Sequence, residues 1–476
     1  MMITNLPTDL MEDILSRVPS KATREVRLTC TEWNTIWNSQ IFAKMHFDKA
    51  FDPAKEDGSE SRMIVMMEKN LYLLSVFVNV NIYGVNNFSA EQKGKLTCLD
   101  EQVKISDVYH CDGLLLCIME DDDTQVVVWN PYLGQTRWIQ LRSSHVLPRA
   151  ETWHNKFHYG IGYDKNGSCR NYKILRFIDA FLFEDDGYEF FWYEIYDFKS
   201  GLWTTLDVTD PHWRIQYGNG VSVKGNTYWC ATDRISPPTD RPRLDHIICF
   251  DYTRMRFGPL LPLPYEHGYY SVTLSCVGEE KLAAYCNQYD SDPYHFQIWI
   301  TTMIEAEKVS WSCLLAFYPE SLPNDVRFSS FGGFYIDQVK KVAMFSGRRS
   351  NHHAVCIINE EGEYAGEVAL EETDQRYWRK SLCSYVPSVV QIKQPKGGQR
   401  GKKQSDIEKL RYDEMMSRLS FLESKCKKLQ LDLAKRKAST CKKISYPTSV
   451  VPEQARSTSF LSTNSFASLA SSDDED

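Results

Sequence analysis

The chain has no uninterrupted hydrophobic run long enough to cross a membrane. Its longest apolar stretch, residues 71–80, contains Ser75 and Asn79 and is far shorter than the ~20 residues of a membrane-spanning helix. The first residues also lack the basic segment and the long apolar core of a secretory signal. We therefore expect no membrane partner, and we expect the protein in the cytoplasm, the nucleus or both.

The sequence also lacks the signatures of common catalytic and metal sites. It contains 14 cysteines, but none forms a Cys-x-x-Cys pair, which is typical of free thiols in a reducing compartment. A P-loop, a GxSxG elbow and an HExxH helix are all missing. His154 and His158 are four residues apart, but the aromatic residues around them indicate strand or loop. We expect no catalytic residue, no metal and no cofactor.

Aromatic residues, in contrast, are abundant. The 476 residues allow two to four domains, and an aromatic share of 13% favours a largely β body. The net charge is −8, yet residues 391–443 hold 16 Lys and Arg against 6 Asp and Glu. The body is therefore acidic, which argues against binding of a nucleic-acid backbone, and no nucleic-acid partner is expected.

Residues 1–47 predict a small helical region. Leu10, Ile14 and Leu15 recur at helical spacing after Pro7, and a second periodic stretch extends to about Ser39. About 40 residues can hardly fold alone, and this segment carries more apolar side chains than so small a core can bury. The surplus either packs on the β body or forms a docking surface for another protein.

Three short motifs stand out in this segment: Leu6-Pro7, Ile14-Leu15-Ser16-Arg17-Val18-Pro19 and Cys30-Thr31-Glu32-Trp33, followed by Phe42. With these motifs the segment resembles an F-box, although Thr23 departs from the usual leucine. It implies a three-helix bundle that binds a Skp-type adaptor and, through it, a cullin–RING ubiquitin ligase. The adaptor-binding residues it implies, some of them as supporting core, are Leu6, Pro7, Leu10, Ile14, Leu15, Val18, Pro19, Cys30 and Trp33.

Residues 48–390 repeat a short β run, an Asn or Asp, a polar turn and an aromatic residue. The runs end at Asn130, Asp197 and Asp251, and a weaker copy without the acidic residue is centred on Ile298. Each copy of this pattern fits a β-hairpin, because Asn and Asp side chains form hydrogen bonds with the backbone of a turn. Intervals of 67 and 54 residues approach the roughly 50 residues of a kelch-like propeller blade. A β-sandwich remains the alternative.

The same region contains, in this order, the segments CDGLLLC, VVVWNPYLGQTRWI, FHYGIGYD and YEIYDFKSGLW. With these segments it resembles the F-box-associated domain of plant proteins, and the resemblance covers most of residues 105–390. It implies a β-propeller-like domain that binds a target protein.

The C-terminal part begins with a basic linker at 391–404. Residues 405–437 then predict a helix with an unbroken alternation of three and four between apolar positions, typical of a short coiled coil. This predicted seam consists of Tyr412, Met415, Leu419, Leu422, Cys426, Leu429 and Leu433. Self-association through the seam and a single amphipathic helix packed on the body are both open. Residues 438–476 are rich in serine, end in acidic residues and are expected to be disordered.

Together these features predict a mainly β protein with helical ends that acts as the substrate-recognition subunit of a Skp–cullin–F-box ubiquitin ligase. The chain itself would not be an enzyme, and its target protein is unknown. Two alternatives are a scaffold that oligomerises through the coiled coil and a propeller that binds a small molecule or a glycan.

Overall fold

In a computed structural model of the full chain, residues 1–426 and 427–476 form two compact units. The structure describes residues 7–18, 26, 29–37, 39–50, 60–67, 70–80, 86–95, 103–142, 157–166, 170–182, 188–207, 211–215, 220–234, 246–264, 271–288, 295–328, 333–349, 352–370, 382–392 and 406–443. No helix among these residues is long and apolar enough to span a bilayer.

The described helices lie at the two ends of the chain. They are α1 (Thr8–Ser16), α2 (Thr31–Trp37), α3 (Gln40–Ala50) and α4 (Asp406–Lys443), with a 3-10 turn at Pro319–Ser321. Helix α3 extends the helical region beyond the predicted end at 47. Helix α4 begins and ends later than predicted, so residues 438–443, expected to be disordered, are helical.

The strands between them are β1 (Glu60–Met67), β2 (Asn70–Val80), β3 (Asn86–Lys95), β4 (Ile105–Cys111), β5 (Leu114–Met119), β6 (Gln125–Asn130), β7 (Gln135–Gln140), β8 (His158–Asp164), β9 (Asn171–Leu182), β10 (Tyr188–Asp197), β11 (Leu202–Thr205), β12 (Trp213–Ile215), β13 (Val221–Val223), β14 (Asn226–Asp233), β15 (His246–Asp251), β16 (Arg256–Phe257), β17 (Leu261–Pro262), β18 (Ser271–Val277), β19 (Lys281–Gln288), β20 (His295–Ile304), β21 (Val309–Phe317), β22 (Val326–Phe328), β23 (Phe334–Asp337), β24 (Val342–Arg349), β25 (His352–Ile358), β26 (Tyr364–Ala369) and β27 (Leu382–Ser384).

These strands form six antiparallel sheets within the described residues, arranged as the blades of a propeller. Blades 1 to 5 are β4–β7, β8–β11, β12–β17, β18–β21 and β22–β26. Blade 6 combines β27 with β1–β3, so that Ile64 pairs with Cys383 across the point of closure. The inner strands β4, β8, β13, β18, β23 and β27 lie around the axis. The β-sandwich alternative is therefore wrong.

The continuous apolar runs follow from burial on both faces of a blade. In β5, Leu114, Leu116 and Ile118 pack in the core between blades 1 and 2. The alternate residues Leu115 and Cys117 pack in the core between blades 6 and 1. Because successive side chains of a strand point to opposite faces, one strand supplies two cores.

The predicted hairpins are present as the third and fourth strands of their blades. Trp138 pairs with Val127, and Trp203 pairs with Tyr196. In the β10–β11 turn, Asp197 Oδ1 accepts the N–H groups of Lys199 and Ser200, each at 2.8 Å. The turn chemistry inferred from the sequence is therefore confirmed at this site.

The body extends beyond the predicted boundary at 390. The Ile392 side chain is buried in the core between blades 1 and 2, and its N–H donates to Gln135 Oε1 at 2.9 Å. Residues 391 and 392 therefore belong to the body rather than to a linker.

The first part of α4 packs against blades 1 and 2. Tyr412 and Met415 lie against the apolar core between these blades, and Leu419 is 4% exposed within it. For these three positions the coiled-coil prediction is corrected, because they contact the chain's own propeller. Their contact agrees with the alternative prediction of a single amphipathic helix packed on the body. The side chains of Leu422, Cys426, Leu429 and Leu433 lie outside the described residues.

A buried charge network accompanies this contact. Glu408 Oε1 accepts Arg142 Nη2 at 2.7 Å and the Thr205 N–H at 3.0 Å. Arg176 Nη1 donates to Glu194 Oε1 at 2.7 Å, with both side chains fully buried. Burial raises the pKa of Glu194, and the positive charge of Arg176 opposes that effect. The network joins blade 1, blade 2 and α4.

Candidate protein-docking surface

Helix α1 has a buried side and an exposed apolar side. Pro7 precedes the helix, and its carbonyl accepts the N–H groups of Leu10 and Met11, each at 3.1 Å. Leu15 is fully buried, whereas Leu10 is 47% and Ile14 is 41% exposed. Residues four apart lie on the same helix face. Leu10 and Ile14 therefore form an apolar ridge that faces away from the core.

The helical region has a small core of its own. Its buried members are Leu15, Ile36, Trp37 and Phe42, with Met11, Val18, Val26, Trp33 and Met45 partly buried against them. Cys30 begins α2, because its carbonyl accepts the Asn34 N–H at 3.1 Å and its sulfur accepts the Trp33 N–H at 3.4 Å. Cys30 and Trp33 thus stabilise the start of α2, and Trp33 packs against the core of the helical region.

The predicted adaptor-binding residues therefore fall into two groups. Pro7, Leu10 and Ile14 are exposed, whereas Leu15, Val18, Cys30 and Trp33 are buried or partly buried. Leu6 and Pro19 lie outside the described residues. The sequence did not single out Ile41, which is 84% exposed on α3. Its helix lay beyond the predicted end of the periodic stretch.

One histidine joins this region to the propeller. His46 of α3 is 1% exposed, with Nε2 2.8 Å from the Val18 carbonyl oxygen and Nδ1 2.7 Å from the Tyr132 hydroxyl of the β6–β7 turn. Because a carbonyl only accepts, Nε2 carries the proton and Nδ1 accepts from Tyr132. The ring therefore fixes the helices against blade 1. The sequence analysis did not predict a role for His46, because its two partners are 28 and 86 residues away in the chain.

A second polar cluster lies where the inner strands end. Asp112, in the β4–β5 turn, accepts from the Tyr172 hydroxyl and from Arg170 of blade 2. His110 Nε2 accepts the Gly113 N–H at 3.1 Å and lies 3.4 Å from Glu279 Oε1 of blade 4. Burial and, secondly, the charge of Asp112 raise the pKa of Glu279 to about 7, whereas burial lowers the pKa of His110 to about 4. The cluster joins blades 1, 2 and 4 around the axis.

Among the described tryptophans, none that is exposed lies at the propeller axis. The tryptophans buried in the propeller are Trp129, Trp192, Trp203, Trp213 and Trp229. Trp138 is 45% exposed, but it lies on the outer strand of blade 1 rather than at the axis. His158, considered as a metal ligand, stacks on Phe177 with ring centroids 5.2 Å apart. His154 lies outside the described residues.

These features define a six-bladed β-propeller protein whose N-terminal helical region exposes an apolar ridge. Residues 62–392 match the family model of the F-box associated beta propeller domain, and residues 3–45 match that of the F-box domain. The chain belongs to the F-box proteins that carry this propeller domain.

Two relatives are similar in sequence to this chain along most of their length. The F-box/kelch-repeat protein At4g33290 of Arabidopsis thaliana is 48% identical, over 87% of this chain and 95% of that protein. The F-box protein At2g38590 of the same plant is 47% identical, over 88% and 97%. Both resemblances stated from the sequence are thereby confirmed.

Proposed function

We propose that this protein is the target-binding subunit of a Skp–cullin–F-box ubiquitin ligase. In this proposal the helical region binds a Skp-type adaptor, which connects it to a cullin, and the propeller captures the target. The chain performs no chemistry itself. It holds the target close to a ubiquitin-loaded conjugating enzyme and so raises the effective concentration of the target.

The observation that carries the proposal is the apolar ridge of α1. Leu10 and Ile14 remain about half exposed although a buried core lies directly beneath them. Exposed apolar side chains on a helix face suit a protein partner. We assign the contact to Pro7, Leu10 and Ile14, which Leu15, Val18, Cys30 and Trp33 support. Leu6 and Pro19 are further adaptor-binding residues that the resemblance to an F-box implies.

The anchoring of the helical region supports a positioning role. The Tyr132–His46–Val18 chain of hydrogen bonds passes from blade 1 through α3 to the end of α1. A receptor that presents a target to a distant enzyme benefits from such a fixed connection, because a flexible one lowers the effective concentration.

The test is the double substitution Leu10→Asp with Ile14→Asp in the full chain. Covering the exposed halves of these two side chains is worth about 2–3 kcal/mol, so their removal weakens adaptor binding by roughly 30- to 200-fold. Calorimetry with a purified Skp-type adaptor measures the affinity. Thermal unfolding should change little, because neither residue is buried.

The matched control is Val339→Asp, an apolar-to-acidic change on blade 5 at a side chain 84% exposed. It should bind the adaptor like the wild type. Equal affinity of the double variant and the wild type would refute the assigned surface.

A further inference from the structure

The outer strand of blade 4 differs from the other outer strands of the propeller. Strand β21 (Val309–Phe317) is nine residues long, and residues 309–318 carry no charge, although 25% of the whole chain is charged. Proteins usually protect the free edge of a sheet with a short strand, a proline or a charge. Blade 3 ends in the two-residue strands β16 and β17, and the outer strands of blades 5 and 6 contain charged residues. None of these three devices protects β21.

Side chains of the protein itself cap the outer edges of blades 1 and 2. In β11, the Thr205 N–H donates to Glu408 Oε1 at 3.0 Å, and the Trp203 carbonyl accepts from Arg142. In β7, the Gln140 carbonyl accepts Trp203 Nε1–H at 2.9 Å. On the outer edge of β21, no further strand of the described part of the chain is paired.

The hydrogen-bond pattern shows which backbone groups of β21 point away from the blade. The Glu305 N–H donates to the Lys308 carbonyl oxygen at 2.9 Å, so these two residues form a hydrogen-bonded pair at the β20–β21 turn. The backbone groups of successive residues in a strand point to opposite edges. Val309, Trp311 and Cys313 therefore direct their N–H and C=O groups away from β20.

Neighbouring blades limit the free part of this edge at both ends. At one end, Arg254 of blade 3 donates to Glu307 Oε1 at 3.0 Å, so this charge of the turn is already paired. At the other end, the β25–β26 turn of blade 5 lies against β21, because a Cβ atom on Gly362 would be 2.8 Å from the Ala316 carbonyl oxygen. The accessible edge therefore consists of residues 309–315.

The centre of this edge is exposed and partly apolar. Ser312, Cys313 and Leu314 are exposed in succession, and Leu314 is the extra residue of a β-bulge before Leu315. A bulge at the edge of a sheet redirects a side chain, and here the leucine is 43% exposed. An uncharged, partly apolar surface thus lies beside the outward backbone groups.

We propose that β21 binds an extended, uncharged segment of the target protein as a fifth strand of blade 4. This rests on the function proposed above, in which the propeller captures the target. An extended chain offers N–H and C=O groups at the spacing of Val309, Trp311 and Cys313. A charged segment would bury its charges against an edge that has no opposite charge to pair with them. The occupant is therefore a strand of apolar or hydroxyl-bearing residues, about as long as residues 309–315.

The probe is a peptide selected on the purified full chain from a phage-displayed library of random peptides. Selected peptides should contain an uncharged run that is long enough to cover the accessible edge. Methylation of one alternate set of their backbone nitrogens should abolish binding and methylation of the other set should not, because every second N–H of an added strand points at the edge. Fluorescence anisotropy measures the affinity. A selection that returns no peptide, or peptides that tolerate both methylations, would overturn the proposal.

The substitution Cys313→Pro tests the site on the protein. Proline removes the outward N–H of residue 313 without removing a hydrogen bond to β20, so it should weaken peptide binding at least about tenfold. Cys313→Ala is the matched control, because it changes the same side chain and keeps the N–H, and it should bind like the wild type. Thermal unfolding checks that both variants are folded. Equal affinity of the two variants would overturn the proposal.

Hydrogen exchange of the wild type tests the same contact without a substitution. Peptide binding should slow the exchange of the Val309, Trp311 and Cys313 amides, and unchanged exchange would contradict strand addition. The assay contains no adaptor, so its outcome is separate from that of the adaptor-binding test. Light scattering examines a second copy as the occupant. A wild-type dimer that Cys313→Pro dissociates would place β21 of another chain on this edge and overturn the choice of the target.

Discussion

Replacing Glu279 by glutamine should change how the stability of the propeller depends on pH. Burial raises the pKa of this carboxyl group to about 7, against an ordinary value of 4.5. A group whose pKa is raised by folding contributes stability below its unfolded pKa and loses that contribution as the pH rises through its folded pKa. At about 1.4 kcal/mol for each tenfold change in the acid constant, the contribution lost between pH 4.5 and 7.5 is about 3 kcal/mol.

The assay is urea unfolding of the full chain, followed by tryptophan fluorescence at several pH values. The free energy of unfolding of the wild type minus that of Glu279→Gln should fall by about 3 kcal/mol from pH 4.5 to 7.5. His110, whose pKa burial lowers to about 4, has the opposite effect over this range. It is present in both proteins, so the subtraction largely removes it.

Glu280→Gln is the matched control, because Glu280 is the next residue and its side chain is 74% exposed. Its substitution removes a carboxyl group at the same place in the chain without removing a buried one. If the Glu279→Gln difference is constant or grows with pH, folding does not raise the pKa of Glu279, and the burial of its carboxyl group described above is refuted.

Three further substitutions probe other contacts. Leu15→Ala should destabilise the helical region by about 2–5 kcal/mol, because its side chain is fully buried, which chemical unfolding measures. Glu408→Ala should lower the free energy of unfolding by about 3–5 kcal/mol, because it leaves the buried charge network incomplete. Glu414 is exposed, so Glu414→Ala should lower it by less than about 0.5 kcal/mol. Equal effects of the two substitutions would contradict the packing of α4 on the propeller. Tyr132→Phe removes the bond to His46 and should speed proteolytic release of the helical region, with an unchanged rate counting against the anchor.

Local chemistry made the propeller hairpins predictable from the sequence. Asp197 contacts backbone groups only two and three residues away, so its role is visible in a short segment. The two cores served by β5 likewise leave a continuous apolar run. The six blades and their closure were less accessible, because Ile64 pairs with Cys383 across almost the whole body.

The contacts that hold the N-terminal helices and α4 against the propeller are non-local. Glu408 and Arg142 are 266 residues apart, and no periodicity connects them. The three-four spacing of Tyr412, Met415 and Leu419 correctly indicated an apolar helix face. Spacing alone does not tell whether such a face covers a second helix or a groove between two blades.

The most direct test of the central proposal is assembly of the complex from purified parts. When the full chain, a Skp-type adaptor and a cullin are mixed, all three should elute together in gel filtration, and the cullin should separate when the adaptor is omitted or when Leu10 and Ile14 are both replaced by aspartate. A chain that elutes alone in the presence of the adaptor would contradict the account.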